Sequence, residues 1–321
     1  LPGRRADCLV GPSEAPMMVD HSSASPPALL VDLSLQFGGA SVRAAELVRG
    51  AGNTHWALAV LHDSPACRHA HQLGLETFEV GSLRTDPGTV GRLVKVIQSG
   101  GYQIVDGQNP QSKLWGAIAA WRTNTAFVST LNSWPLSEYG TNLKGYTYTL
   151  LERMLRRRTH LYIAVSTQIR EKLLEDGVPS TSIVYIPTAV ELNPDSVAAD
   201  PVEVRRLLGL SPDAILCIAV GRLAEAKGYP ILLAAMQRLC DRFPNLHCLI
   251  VGEGALKARL RAEIEQLGLR GKVILLGFRP REETLSLVLS SNFFVMPSLT
   301  EGTPVALLEA AALARPIVVS A

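Results

Sequence analysis

Short apolar runs recur along the chain, each closed by a polar or glycine-bearing turn and followed by a stretch of helical length. Runs at residues 28–33, 56–61, 76–80, 103–106, 126–130, 161–165 and 183–186 read as strands. They are apolar, bounded by turn residues and too short for buried helices. Helical signals follow the first run as far as Arg49 and cover 65–73, 87–99, 112–121 and 141–157, with Gly100-Gly101 stopping the third of these five. A polar, proline-bearing passage over residues 193–201 marks a linker. Asp200 then caps a short helix that has Pro201 in its first position. The theme repeats with strands at 214–220, 246–251, 272–276, 293–296 and 317–320, and helices at 229–242, 255–267 and 281–290. Apolar strands alternating with helices predict an α/β fold with parallel sheets covered on both faces. Two doubly wound domains facing across a cleft are expected, one over 28–195 and one over 196–321, with sites at the carboxyl ends of strands. Residues 1–27, rich in Pro, Ser and Gly without periodicity, read as disordered.

Composition narrows the class. The chain has 321 residues, 47% hydrophobic and 19% charged, enough to bury a core in about two domains. A formal charge of +2 is too near neutral to suggest a nucleic-acid partner by itself. The five cysteines form no C-x-x-C pair, and Cys217 and Cys248 sit in strand-like runs, as in a reduced cytosolic protein. No apolar run approaches the ~20 residues of a membrane-spanning helix, and the start shows no signal-peptide core. Met17-Met18 shortly before the first strand, and an end straight after the last one, read as marks of a fragment whose second domain is incomplete.

The stretch FFVMPSLTEGTPVALLEAAALA, residues 293–314, carries the densest chemistry. It reads as strand, polar loop and helix, with Pro304 as a first helical residue and free N–H groups that attract an anion. Glu301 and Glu309 bracket that helix start. Carboxylates beside an anion site make sense if they accept hydrogen bonds from hydroxyls flanking a diphosphate, as in a nucleotide sugar. The alternative makes Glu301 a favourable charge at a helix N-terminus and Glu309 a solvated helix residue. Arg222 and Lys227, at the end of the strand over 214–220, can stabilise the charge of a diphosphate leaving group. The chain has no Asp-x-Asp pair, so these cations read as a replacement for a metal; solvated surface charges are the other reading. Residues 251–256, VGEGAL, form an incomplete G-x-G-x-x-G, a weak dinucleotide fingerprint or a glycine turn near a ligand. The seven histidines show no H-E-x-x-H spacing, His69 and His71 point to different faces of a helix, and all seven read as structural or exposed. The arginine run Arg153, Arg156, Arg157, Arg158 reads first as a solvated helix face and second as a contact for anionic lipid.

Taken in order, these pieces resemble the retaining glycosyltransferases of group 1, glycosyltransferase family 4. The match runs through G-R at Gly221-Arg222, K-G at Lys227-Gly228, V-G-x-G from Val251 to Gly254, L-G-F from Leu276 to Phe278, and E-x7-E from Glu301 to Glu309. It covers roughly residues 28–321 and is much weaker over the first half. The resemblance implies a GT-B fold of two Rossmann-like domains, acceptor-side first and donor-binding second. It implies that Arg222 and Lys227 bind the donor diphosphate. Glu301, Gly302, Thr303 and Pro304 would hold the donor sugar, and Glu309 the ribose hydroxyls. Gly221, Gly252, Gly254 and Phe278 join the donor set, and Glu301, Arg222 and Lys227 are the catalytic candidates. Gly38, Gly39 and Asn132 fall on the acceptor side. The family's first-domain histidine has no counterpart, since the corresponding places read VDGQ from residue 105 and TLNS from residue 130. I-P-N-G-V-D reads IPTAVE from residue 186, and the segment that returns to the first domain is missing.

The resulting expectation is a hexosyltransferase-type enzyme that moves a sugar from a UDP- or GDP-sugar to an acceptor hydroxyl with retention. The resemblance implies glycan, exopolysaccharide or glycolipid synthesis and a glycan or lipid-linked acceptor. No metal or cofactor and no nucleic acid are expected. Its place would be the cytoplasm, with peripheral contact to the cytoplasmic membrane face. A nucleotide-sugar-binding protein without transfer activity, favoured by the missing histidine and the truncation, and a sugar-nucleotide epimerase of similar architecture are the other readings.

Overall fold

The structure, a computed structural model, describes residues 25–320 except 36–37, 53, 140–141, 191, 193, 195–196, 199 and 303. The expectation of disorder before residue 25, Met17-Met18 and the candidate Thr303 lie outside the described residues. The first unit alternates β1 (Ala28–Asp32), α1 (Gly39–Gly50), β2 (Trp56–Val60), α2 (Pro65–Gln72), β3 (Thr77–Glu79), α3 (Gly88–Gly100), β4 (Ile104–Gly107), α4 (Pro110–Thr123) and β5 (Ala126–Leu131). It continues through α5 (Pro135–Tyr139), α6 (Leu143–Leu155), β6 (Leu161–Ala164), α7 (Thr167–Glu175) and β7 (Ile183–Tyr185). The second unit comprises α8 (Pro201–Leu207), β8 (Ile215–Val220), α9 (Tyr229–Cys240), β9 (Leu246–Val251), α10 (Lys257–Gln266), β10 (Val273–Gly277), α11 (Arg281–Ser290), β11 (Phe293–Met296), α12 (Val305–Ala312) and β12 (Ile317–Val319).

Among the described residues the strands form two parallel sheets, ordered β3-β2-β1-β4-β5-β6-β7 and β10-β9-β8-β11-β12. Each is wound outward from an inner strand and then back past it, so the order reverses between β1 and β4 and between β8 and β11. Loops diverge at such a point and leave a crevice at the strands' carboxyl ends. Both faces of each sheet are covered. Leu29 and Val31 of β1 join Leu93, Ile97 and Phe127 in one core, while Leu30 packs with Ala45, Val48 and Cys67 in another. In the second sheet Cys217 and Cys248 pack against α9 and α10, and Ile218 and Leu249 against α11 and α12. Alternate residues of one strand thus face opposite helical layers, as the period of two requires. Cys67, Cys217, Cys240 and Cys248 are free thiols.

Side-chain caps start many of the helices. Ser64, Asn109, Asn142, Ser166 and Asp200 each accept a hydrogen bond from a backbone N–H one turn into α2, α4, α6, α7 and α8. The last of these agrees with the expected cap. Two helices, α5 and α7, stand where the apolar pattern gave no separate helix, although Ser166 before α7 was a readable cap. Pro304 is a correction. It is the N-cap of α12, with φ −78° and ψ 107°, and helical geometry begins one residue later at Val305.

Candidate active site

The residues singled out in the second half gather at the carboxyl edge of the second sheet, on the loops leaving β8, β9, β10 and β11. Gly228 explains why Lys227 meets the β11 loop. It caps α9 at φ +64°, and a Cβ there would lie 1.9 Å from Pro297 O, so only glycine lets the two loops touch. Leu299 N also donates to Ala226 O at 2.8 Å. Lys227 Nζ consequently reaches Glu301 Oε1 at 2.5 Å, and Ser298 Oγ donates to the same oxygen at 2.6 Å. Gly221 and Arg222 leave β8 beside them, and Tyr229 Oη donates to Gly221 O at 2.9 Å. Burial pushes the Tyr229 hydroxyl up, helped by the nearby Glu301 carboxylate, so it stays a donor.

Gly252 and Gly254 stand behind this loop. A side chain at Gly252 would collide with Gly221 O, and one at Gly254 with Leu223 O. Their visible part is therefore to let the β8 and β9 loops pack backbone to backbone, which Leu223 N→Glu253 O and Leu256 N→Leu223 O complete at 2.9 and 3.0 Å. Phe278 follows β10 and is 52% exposed, leaving an aromatic face open on the same edge.

Glu309 is 7% exposed, which rules out the solvated helix residue. Its Oε1 accepts from Arg281 Nε at 2.7 Å, and Arg281 Nη1 lies 3.7 Å from Glu46 Oε1 on α1. Burial raises the Glu309 pKa, opposed by the hydrogen bond and charge of Arg281. A carboxylate held inside a packed edge by one arginine keeps acceptor capacity for a hydroxyl.

The first sheet presents its own carboxyl edge to these loops. Gly302 is pressed against the loop after β5, where an added Cβ would lie 2.0 Å from Asn132 O. Gly39, at the start of α1, would place a Cβ 3.0 Å from Val305 Cγ2, so the N-termini of α1 and α12 abut. Gly38 is the extended N-cap of α1 and has open space where a side chain would stand. Arg222 Nη2 crosses to Glu138 Oε1 on α5 at 2.7 Å. Two helix N-termini, with Arg222, Lys227, Glu301 and Glu309, thus come together where the two carboxyl edges meet, an arrangement that can hold a polyanion with hydroxyls at its ends.

The places without the family histidine are tightly knit. Asp106 at the end of β4 accepts from Thr130 Oγ1 at 2.8 Å and from Gln108 Nε2 at 2.6 Å. Asn132 Nδ2 in turn donates to Gln108 O and Oε1, at 3.1 and 3.3 Å. Burial pushes the Asp106 carboxyl up to about 6, against the pull of Thr130, Arg43, Lys113 and Gln108. Glu138, Arg281 and Glu46 were not legible as partners, because each acts across a long separation with no local motif, and Asp106 shows its role only through Thr130, 24 residues on.

Of the arginine run, Arg153 Nε donates to Asp176 Oδ1 at 2.8 Å, Arg156 also binds Asp176, and Arg158 lies 4.5 Å over the Trp121 ring. His62 pairs with Glu79, His55 Nε2 lies 3.6 Å from Glu76 Oε2, and His160 Nδ1 accepts from Phe127 N at 3.1 Å. Among the described residues no helix is long and apolar enough to cross a membrane.

Fold and site together define a class, and the comparisons agree. The family model of glycosyltransferase family 4 matches residues 37–193, and that of glycosyl transferases group 1 matches residues 203–321. The chain belongs to the group 1 glycosyltransferases and has their GT-B fold. It is 26% identical over 245 residues to UDP-Gal:alpha-D-GlcNAc-diphosphoundecaprenol alpha-1,3-galactosyltransferase of Escherichia coli, covering 74% of this chain and 63% of that one. It is 28% identical over 198 residues to an uncharacterized glycosyltransferase of Methanocaldococcus jannaschii, covering 61% of this chain and 48% of that one. The chain spans about half the length of the curated relatives it matches. Among solved structures, HepE of Anabaena in complex with UDP-glucose superposes with a TM-score of 0.78 at 18% identity, covering 91% of this chain and 80% of that one. WaaG, a glycosyltransferase involved in lipopolysaccharide biosynthesis, superposes at 0.68 with 16% identity, covering 92% of this chain and 81% of that one.

Proposed function

We propose that this chain transfers a hexose from a UDP- or GDP-sugar to an acceptor hydroxyl in glycan, exopolysaccharide or glycolipid synthesis, with retained anomeric configuration and without a divalent metal. The observation that carries the reading is the Lys227–Glu301 pair at 2.5 Å, set at the point where the second sheet's strand order reverses. Lys227 and Arg222 take the diphosphate, with the α12 N-terminus adding its partial positive charge. Glu309 accepts from the ribose, and Phe278 offers its face to the base. Glu301, Gly302 and Pro304 hold the sugar against the wall formed by Asn132, while Gly38 and Gly39 admit the acceptor. Attack and departure share one face of the sugar, so the departing diphosphate oxygen can accept the acceptor's proton. Support comes from this geometry and from the HepE complex with UDP-glucose. The test is incubation of the chain, and of a version extended to the relatives' length, with a panel of nucleotide sugars and glycan or lipid-linked acceptors. Release of nucleoside diphosphate that depends on acceptor supports transfer. Binding without release favours the non-catalytic reading, and interconversion of the donor sugar favours an epimerase.

The acceptor side has a second feature. Leu143, Tyr146, Leu150 and Met154 fall on one stripe of α6 and are 56–84% exposed. Lys144 stands beside it on the helix and Arg157 follows its end. An apolar stripe flanked by cations suits the headgroup region of an anionic bilayer. We read this face as the peripheral contact with the cytoplasmic membrane surface, which would bring a lipid-linked acceptor to the crevice.

A further inference from the structure

Away from the donor residues, the rim of the first sheet brings a thiol, an imidazole and a carboxylate together. Cys67 and His71 stand four residues apart on α2 and so face the same way. Cys67 Sγ lies 4.0 Å from His71 Nδ1. Glu79 ends β3, the edge strand, and one ligating atom from each of the three residues lies within 4.8 Å of the others. The sheet register sets Glu79 beside Val60 at the end of β2. Two residues further on, His62 turns its Nδ1 onto Glu79 Oε2, while its N–H donates to Gly81 O at 2.7 Å. His62 and Glu79 also line an open cleft of about 410 Å³ together with Gly81, Ser82 and Asp86.

We propose that Cys67, His71 and Glu79 bind one divalent transition cation, with zinc the best fit, and that His62 orients the Glu79 carboxylate. Sulfur and imidazole donors suit zinc, whereas magnesium and calcium take oxygen. In a tetrahedral site with bonds of about 2.0–2.3 Å the ligand atoms stand roughly 3.3–3.8 Å apart, so the observed spacing needs only small rotamer shifts. His62 matches the usual outer partner of a metal-bound carboxylate. Three protein ligands leave the fourth position to water. As the sulfur–metal bond forms, the thiol proton passes to solvent, and no electron is transferred. The metal would tie α2 to the edge strand β3, and it takes no part in the donor clamp.

Cobalt(II) titration of the full chain tests this. A thiolate-to-cobalt charge-transfer band should grow to one equivalent, disappear in Cys67→Ser and persist in Cys240→Ser. Zinc should bleach the band and raise the melting temperature. His71→Ala, whose side chain lies on the surface, should keep the wild-type circular dichroism yet lose the band, and His62→Ala should weaken cobalt affinity by about tenfold. Absence of the band in the folded wild type, or its survival in Cys67→Ser or folded His71→Ala, overturns the proposal.

Discussion

Lys227 Nζ and Glu301 Oε1 stand 2.5 Å apart, each side chain 21% exposed, so the cation assigned to the diphosphate is already neutralised before any ligand arrives. An incoming phosphate must share that ammonium or draw it away from the carboxylate. Removing Glu301 therefore leaves Lys227 freer. Glu301→Ala should bind free UDP or GDP as well as the parent, or up to about fivefold tighter, since a part-exposed pair is worth about 1 kcal/mol. Lys227→Ala should lose that affinity. Turnover should fall by about a hundredfold in Glu301→Ala, because in the proposed function the carboxylate would face a ring that gains positive charge as the bond breaks. Calorimetry and turnover on both variants decide it. Equal loss of nucleotide affinity in the two would reject a carboxylate at the sugar end.

The observed pairing of Glu309 with Arg281 and its proposed ribose contact can be separated. Glu309→Ala leaves the Arg281 guanidinium, whose side chain is 21% exposed, with the more distant Glu46 at 3.7 Å in place of its 2.7 Å partner, and should lower stability by about 2 kcal/mol. It should also weaken nucleoside diphosphate binding by about 1–3 kcal/mol through the lost ribose contact. Arg281→Met with Glu309→Leu replaces the pair by apolar groups and should restore most of the stability but none of the affinity. Recovery of nucleotide binding in the double variant would show that Glu309 is structural only.

What was legible follows from what is local. Strand, turn and helix signals sit within a few residues, so the alternation predicts both sheets, and linear motifs single out Lys227, Glu301 and Glu309, which the fold brings to one edge of the second sheet. Partners across the crevice were not legible, because Glu138 and Arg222 are 84 residues apart and Arg281 and Glu309 are 28 apart. Gly252 was readable as a turn, but its packing on Gly221 O depends on two neighbouring strands ending level. The Cys67–His71 spacing was on view in the sequence, whereas Glu79 joins them only through the sheet register. The short helix α5 hid inside a proline-bearing loop that gives too few residues for a helical period.

If Arg222 and Lys227 carry the diphosphate, a divalent metal adds nothing to donor affinity. Chelation should leave nucleoside diphosphate affinity within about twofold, below 0.5 kcal/mol. The comparison is best made in Cys67→Ser as well as the parent, because the cluster at the sheet rim would also release its cation. A tenfold loss under chelation in both proteins would mean that a metal shares the donor site.

The α6 stripe makes a prediction about lipid. The protein should float with vesicles containing phosphatidylglycerol and remain behind with pure phosphatidylcholine. Leu150→Asp together with Met154→Asp should abolish flotation while leaving nucleoside diphosphate binding unchanged, since neither residue touches the crevice. Raised salt should weaken binding, as screening shortens the reach of Lys144 and Arg157. Flotation that survives the double substitution would place the membrane contact elsewhere.

Asp106 supplies a pH dependence with a definite sign. Burial lifts its carboxyl from 3.8 to about 6. Between those values the folded chain holds a proton that the unfolded chain has released, so stability falls as pH rises. A shift of about two units corresponds to roughly 3 kcal/mol, lost in full once pH exceeds the folded value. Glu309, also raised by burial, adds to the trend, but it is common to parent and variant and cancels between them. Asp106→Asn cannot titrate. Urea unfolding at pH 4 and pH 7 should therefore show the parent losing about 2 kcal/mol relative to the variant over that interval, less than the full amount because the unfolded carboxyl is still partly protonated at pH 4. The same carboxyl holds Gln108, Gln108 holds Asn132, and Asn132 O meets Gly302, so a change at Asp106 should reach the sugar wall without touching the diphosphate clamp. Asp106→Asn should accordingly alter turnover while nucleoside diphosphate affinity stays within about twofold. A stability difference that stays flat or grows with pH would mean that the carboxyl is ionised in its pocket, held by Arg43 and Lys113 despite its burial.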